Sequence, residues 1–167
     1  MLAAECAWTV LRAEHARMRE LLSLVDSTLK AGAWKHAGAA ASPIGELIER
    51  LQAFDEATHR PKGVVLLQIL RGRSAESDEL LRRLEAQRER CDALLSQVKP
   101  ILKQAESGDT AAAAAVEALL EEHRQVMLDH LEQEDTLLHT QTAALLTGEE
   151  WAAVVSSISD TLRPRKG

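Results

Sequence analysis

Apolar residues recur in steps of three and four along most of the chain, the spacing that lines one face of an α-helix. Over residues 2–30 the positions Trp8, Leu11, His15, Met18, Leu22, Val25 and Leu29 form one unbroken stripe, which predicts a long helix facing a core. An Ala/Gly-rich connector follows, and Ser42 before Pro43 reads as the cap and first position of a second helix. That helix carries Ile44, Leu47, Ile48, Leu51, Phe54, Thr58 and His59, and continues through Leu66, Leu67, Ile69 and Leu70. Pro61 and Gly63 interrupt it, so a kink or local unwinding is expected over residues 58–63. A third stripe runs Leu80, Leu81, Leu84, Arg88, Cys91, Leu94, Leu95 and Val98, and Pro100 ends or kinks it. The fourth spans residues 110–140 with Val116, Leu119, Leu120, His123, Met127, His130, Glu134 and Leu137. Thr147 and Glu150 form a capping box that starts a short fifth helix at Trp151. The basic tail, residues 163–167, is expected to fray.

Helices of this length, at about 1.5 Å per residue, run roughly 40 Å. The fold class expected is all-α: an antiparallel up-down four-helix bundle with a short fifth C-terminal helix, in a single domain over residues 1–167. With one Phe, no Tyr and three Trp, the core must be built from Leu, Val, Ile and Ala. A β-sandwich is excluded by the abundance of Ala, Leu, Glu and Arg. The 20 Lys and Arg against 26 Asp and Glu leave a net charge of −6, which argues against nucleic acid as a partner. No apolar run is long enough for a membrane span, the first residues lack a signal-peptide pattern, and the two cysteines make no CxxC. The expected location is the cytoplasm.

Function is to be sought where polar residues break the apolar stripes. His15 lies mid-stripe on the first helix, His59 near the proline break on the second, and His130 and Glu134 four apart on one face of the fourth. In an up-down bundle these four can meet in one layer, which is how bundles build metal sites. Imidazole and carboxylate suit iron, zinc or manganese. One inward histidine alone carries little weight, but three with a carboxylate would be costly to bury unpaired. His36 and His139 are expected in solvent, and His123 is read as a core group with a lesser claim as a ligand. Trp8 and Trp151 are expected in the core; Trp34 either covers the end of the bundle or meets a partner.

At these residues the chain resembles the hemerythrin-like (HHE cation-binding) domain family. The stretch from Leu11 through His15 to Met18 is similar to the family's opening histidine motif, and Phe54 through His59 to Lys62 to its second-helix motif. His130-Leu-Glu-Gln-Glu134, followed by residues 146–151, is similar to its closing motif and terminal helix. The resemblance implies a non-haem di-iron centre used to bind or sense oxygen, sense redox state, handle nitric oxide or store iron. It also implies a histidine from each of four helices and two bridging glutamates. Here Gly63 stands where a glutamate is expected, and no histidine lies between His59 and His123. Arg88 instead places a fixed positive charge near that position.

These departures argue against an intact di-iron site and leave three readings. The first is one non-haem metal ion, Fe or Zn, held by His15, His59 and Glu134 with His130 as fourth ligand, in an O2-, NO- or redox-sensing or carrier protein. The second is a metal-free bundle with an Arg88–Glu134 pair, serving as a structural or interaction module, with a homodimer as its candidate assembly. The third recruits Cys91 or His123 into an altered site. An oxidative enzyme has least support: there is no tyrosine, no phosphate loop, no nucleophile elbow and no HExxH.

Overall fold

The apolar stripe of the first 30 residues folds as one helix, α1 (Leu2–Ala31), closed by Gly32 at φ +78°, a conformation glycine adopts without strain. The structure, a computed structural model, describes residues 2–38 and 42–162, with side chains to residue 160. The basic tail expected to fray lies outside the described residues. A single 3-10 turn (Ala33–His36) tucks Trp34 inside, where its Nε1–H donates to Leu29 O at 3.2 Å. Of the two roles open to Trp34, the structure shows it covering its own core. Next comes α2 (Pro43–Phe54), capped as expected by Ser42, whose Oγ accepts from the Gly45 N–H at 2.9 Å.

The break around Pro61 takes a specific form. The backbone widens into a π-helical turn (Asp55–His59) and resumes as α3 (Arg60–Leu70), with Pro61 in its first turn. Proline has no N–H to donate and its ring collides with the preceding turn of a regular helix, so widening just before it removes both problems. The third stripe becomes α4 (Ala75–Val98), capped by Ser74, and ends two residues before Pro100; a short α5 (Leu102–Glu106) follows. The fourth stripe starts at α6 (Thr110–Gln133), capped by Asp109. It does not run straight to residue 140: a second π-helical turn (Glu134–Leu138) intervenes before α7 (His139–Leu145). No proline announces this one. The capping box is reciprocal, Thr147 N–H to Glu150 Oε1 at 3.0 Å and Glu150 N–H to Thr147 Oγ1 at 3.2 Å. It opens α8 (Gly148–Leu162) three residues earlier than Trp151.

Every element among the described residues is a helix, with no strand among them and no helix long and apolar enough to cross a membrane. Helix α1 packs on α2 and α8, α4 on α6, and α3 on α8. Their apolar faces form three clusters. One contains Trp8, Leu11, Leu66, Leu84, Leu138 and Trp151. A second holds Met18, Leu22, Leu51, Cys91, Met127 and Leu131. The third holds Val25, Trp34, Ile44, Val98, Val116 and Leu120. Between the first two, each long helical stretch interrupts its stripe with polar side chains: His15, His59, Gln87 and the pair His130 and Glu134. Burying each flanking leucine contributes about 1.5–3 kcal/mol, enough to hold such a polar layer in place.

Candidate metal centre

Glu134 is the hub of this layer. It is the first residue of the second π-helical turn, it is buried, and both its carboxylate oxygens meet imidazole nitrogens. His15 Nε2 lies 2.8 Å and His59 Nε2 3.1 Å from Oε2; His130 Nε2 lies 2.6 Å from Oε1. All three rings are buried, with the His15 and His59 centroids 5.0 Å apart and those of His59 and His130 6.4 Å apart.

The opposite nitrogen of each ring is also committed. His15 Nδ1–H donates to Asp135 Oδ1 at 2.6 Å, His59 Nδ1–H to Asp55 Oδ1 at 2.9 Å, and His130 Nδ1–H to Gln87 Oε1 at 3.2 Å. The two aspartates are pinned in turn: Arg19 Nη2 reaches Asp135 Oδ2 at 2.9 Å, and Arg60 Nη2 reaches Asp55 Oδ2 at 2.8 Å. The two π-helical turns therefore each supply a residue at the hub and a carboxylate behind a histidine. Glu134 and Asp135 come from one, His59 and Asp55 from the other. Such widened turns are frequent at functional sites.

This arrangement constrains the protons. With Nδ1 donating, the Nε2 of a neutral imidazole carries a lone pair, and a lone pair facing a carboxylate oxygen is repulsive. Two solutions exist. The rings can take a second proton, or a cation can sit among the lone pairs and the carboxylate. At His59 the surroundings favour the first. Burial alone would push His59 down, but the Glu134 charge and the Asp55 bond push it up to about 10. Burial likewise raises the Glu134 carboxyl, yet the His59 and His130 charges hold it well below the usual carboxylate range. The His15 Nε2 is left over: despite its 2.8 Å approach to Glu134 it has no aligned hydrogen-bond partner. A buried ring nitrogen without a hydrogen-bond partner, close to a carboxylate and a second imidazole, belongs to a donor set that fits a metal ion.

His15, His59 and Glu134 each offer one ligand atom, all within 4.8 Å of one another, so these three could hold an ion. A family model described as "Hemerythrin HHE cation binding domain" matches residues 6–142. The chain belongs to this family. No curated protein and no solved structure gives a significant match.

The hemerythrin-like chain departs from a two-metal plan on α3 and α4. A Cβ added at Gly63 would meet Arg88 Nη2 at 3.7 Å, so Arg88 lies beside the missing carboxylate. It forms no ion pair with Glu134, whose oxygens are taken by the histidines; the Arg88–Glu134 pair expected for a metal-free core is not made. One residue before Gly63, Lys62 is buried, with Nζ 2.5 Å from Glu14 Oε1 and 2.8 Å from Thr58 O. Cys91 and His123 are buried outside the three-residue group. His36 is exposed as expected, while His139 is half-buried with its ring edge on Trp8, centroids 4.8 Å apart.

Sequence reasoning missed Asp55, Asp135, Gln87, Glu14 and Lys62. Asp55 had a signal, four residues before His59 on one helical face. Asp135 had none, because its partner is 120 residues away.

Proposed function

We propose that this protein binds one non-haem metal ion, Fe or Zn, through His15, His59, His130 and Glu134, and serves in sensing or carrying a diatomic ligand such as O2 or NO. The observation that supports it most is the orientation of the three rings, with Nδ1 turned to acceptors and Nε2 converging on one carboxylate. The reading takes the long helices as an antiparallel bundle, with facing helices each contributing one ligand or two.

Two histidines and a carboxylate are the composition used for non-haem Fe(II), and a fourth ligand would close the site in the manner of structural zinc. When bound, the ion supplies a Lewis-acidic, or for iron a redox-active, position. The chain's own residues do the rest. Asp135 and Asp55 fix the ring orientations of His15 and His59. Arg19 and Arg60 hold those aspartates in place, and the apolar clusters above and below exclude bulk water. Gly63, Arg88 and the Lys62–Glu14 pair support one ion rather than two.

A metal-free structural role is favoured by one observation, that both Glu134 oxygens already have nitrogen partners. Elemental analysis of anaerobically purified protein, before and after reconstitution with Fe(II) or Zn(II), separates the readings. About one equivalent is expected; less than a few tenths of any transition metal after reconstitution would contradict metal binding.

A further inference from the structure

Below the histidine layer, the second apolar cluster is unusually rich in sulfur. Two of the chain's three methionines, Met18 and Met127, and its only buried cysteine, Cys91, line one small cavity of about 10 Å³ together with His123. That is close to the ~10–15 Å³ needed for a single water-sized guest. The four come from three helices: Met18 from α1, Cys91 from α4, and His123 and Met127 from one face of α6.

His123 is what separates this cavity from ordinary packing. It is 2% exposed, and its Nε2 has no hydrogen-bond partner. A leucine would fill similar volume without leaving a buried imidazole nitrogen unpaired, a loss of roughly 1–3 kcal/mol. Burial holds the ring down to about 4, so at neutral pH it presents a lone pair and no charge. Burial also pushes the Cys91 thiol up to about 12, so it stays protonated unless a strongly thiophilic cation displaces the proton.

We propose that Met18, Cys91, His123 and Met127 form a second metal site, distinct from the Glu134 centre and selective for a soft monovalent cation, Cu(I). Thioether and thiolate donors with one neutral imidazole select Cu(I) over harder divalent ions. On binding, the Cys91 S–H bond breaks, an S–Cu bond forms and the proton passes to solvent; copper enters and stays as Cu(I), so no electron moves. The cavity is also lined by Glu56 and by Arg60, whose charge is paired with Asp55 and Asp92 there, and Asp55 Oδ1 holds His59, which places the site next to the histidine layer.

The test is competition for Cu(I) under anaerobic, reducing conditions against the chromophoric chelator bicinchoninate. A Cys6→Ser background removes the exposed thiol. One equivalent of Cu(I) is expected to leave the chelator. Adding Cys91→Ser should weaken binding at least ~100-fold, and His123→Leu or the paired Met18→Leu/Met127→Leu change about 10-fold each, with unchanged circular dichroism. Copper-edge X-ray absorption of the Cys6→Ser protein needs no core variant and should show sulfur donors. His130→Ala should keep its Cu(I). The proposal is overturned if Cys6→Ser/Cys91→Ser competes as well as Cys6→Ser alone, if the edge shows only nitrogen and oxygen donors, or if His130→Ala loses the copper.

Discussion

Successive turns of one helical stretch carry opposite solutions to the same problem. At Asp55–His59 the chain buries an imidazole whose Nε2 faces Glu134, at the centre where we propose that an exogenous cation binds. One turn on, at Lys62 and Gly63, the cation is covalent: Lys62 Nζ lies against Glu14, and Arg88 sits beside the glycine where a carboxylate is expected. A lysine ammonium satisfies a buried carboxylate but cannot exchange, be reduced or take a ligand. In the proposed function, exchangeable chemistry lies on the side of His15, His59, His130 and Glu134.

The sharpest way to break this contrast is to remove the built-in cation. Lys62→Met leaves Glu14 buried beside an apolar side chain, with one oxygen already lacking a partner. Stability measured by urea denaturation should fall by about 3–5 kcal/mol, and adding Glu14→Gln should recover most of the loss. Metal uptake by the folded protein should be unchanged. Equal loss of metal in the double variant would show that the two turns are not separate.

A smaller effect is expected behind the ligands. Asp135→Asn and Asp55→Asn keep the shape but weaken the acceptors for His15 and His59 Nδ1–H. Competition with a metal-chelating dye should show affinity lower by about 10–100-fold for each. The smallest change concerns Gly63. Its added Cβ would meet only Arg88 Nη2, at an ordinary contact distance of 3.7 Å. Gly63→Ala should therefore raise stability by about 0.5–1 kcal/mol through helix propensity, without altering metal content. A loss of metal there would mean that the glycine leaves room the centre needs.

Much of this was legible in the residue pattern, and the reason differs by residue. His15, His59 and Glu134 announced themselves because each interrupts an apolar stripe, and a stripe tolerates a polar residue only where a partner waits inside. The caps at Ser42 and Thr147 were readable because the partner lies three residues away. Pro61 flagged a break, but propensity does not say that the helix widens rather than bends. The turn at Glu134–Leu138 holds neither proline nor glycine, so nothing local marks it, and with it went Asp135. Lys62 was hidden because a lysine beside a proline reads as solvated surface. Only the docking of α1 on this stretch brings Glu14 to meet it. The Arg88–Glu134 pair was a reasonable expectation from charge alone. It fails because three imidazoles already surround the Glu134 carboxylate.

The central claim is that one cation sits among the Nε2 atoms and Glu134. X-ray absorption at the iron edge, on protein reconstituted anaerobically with Fe(II), tests it most directly. The account predicts about three imidazoles per iron and no iron–iron scattering near the ~3.5–4 Å typical of two-metal sites. An iron–iron vector, or an iron with no imidazole around it, would contradict it.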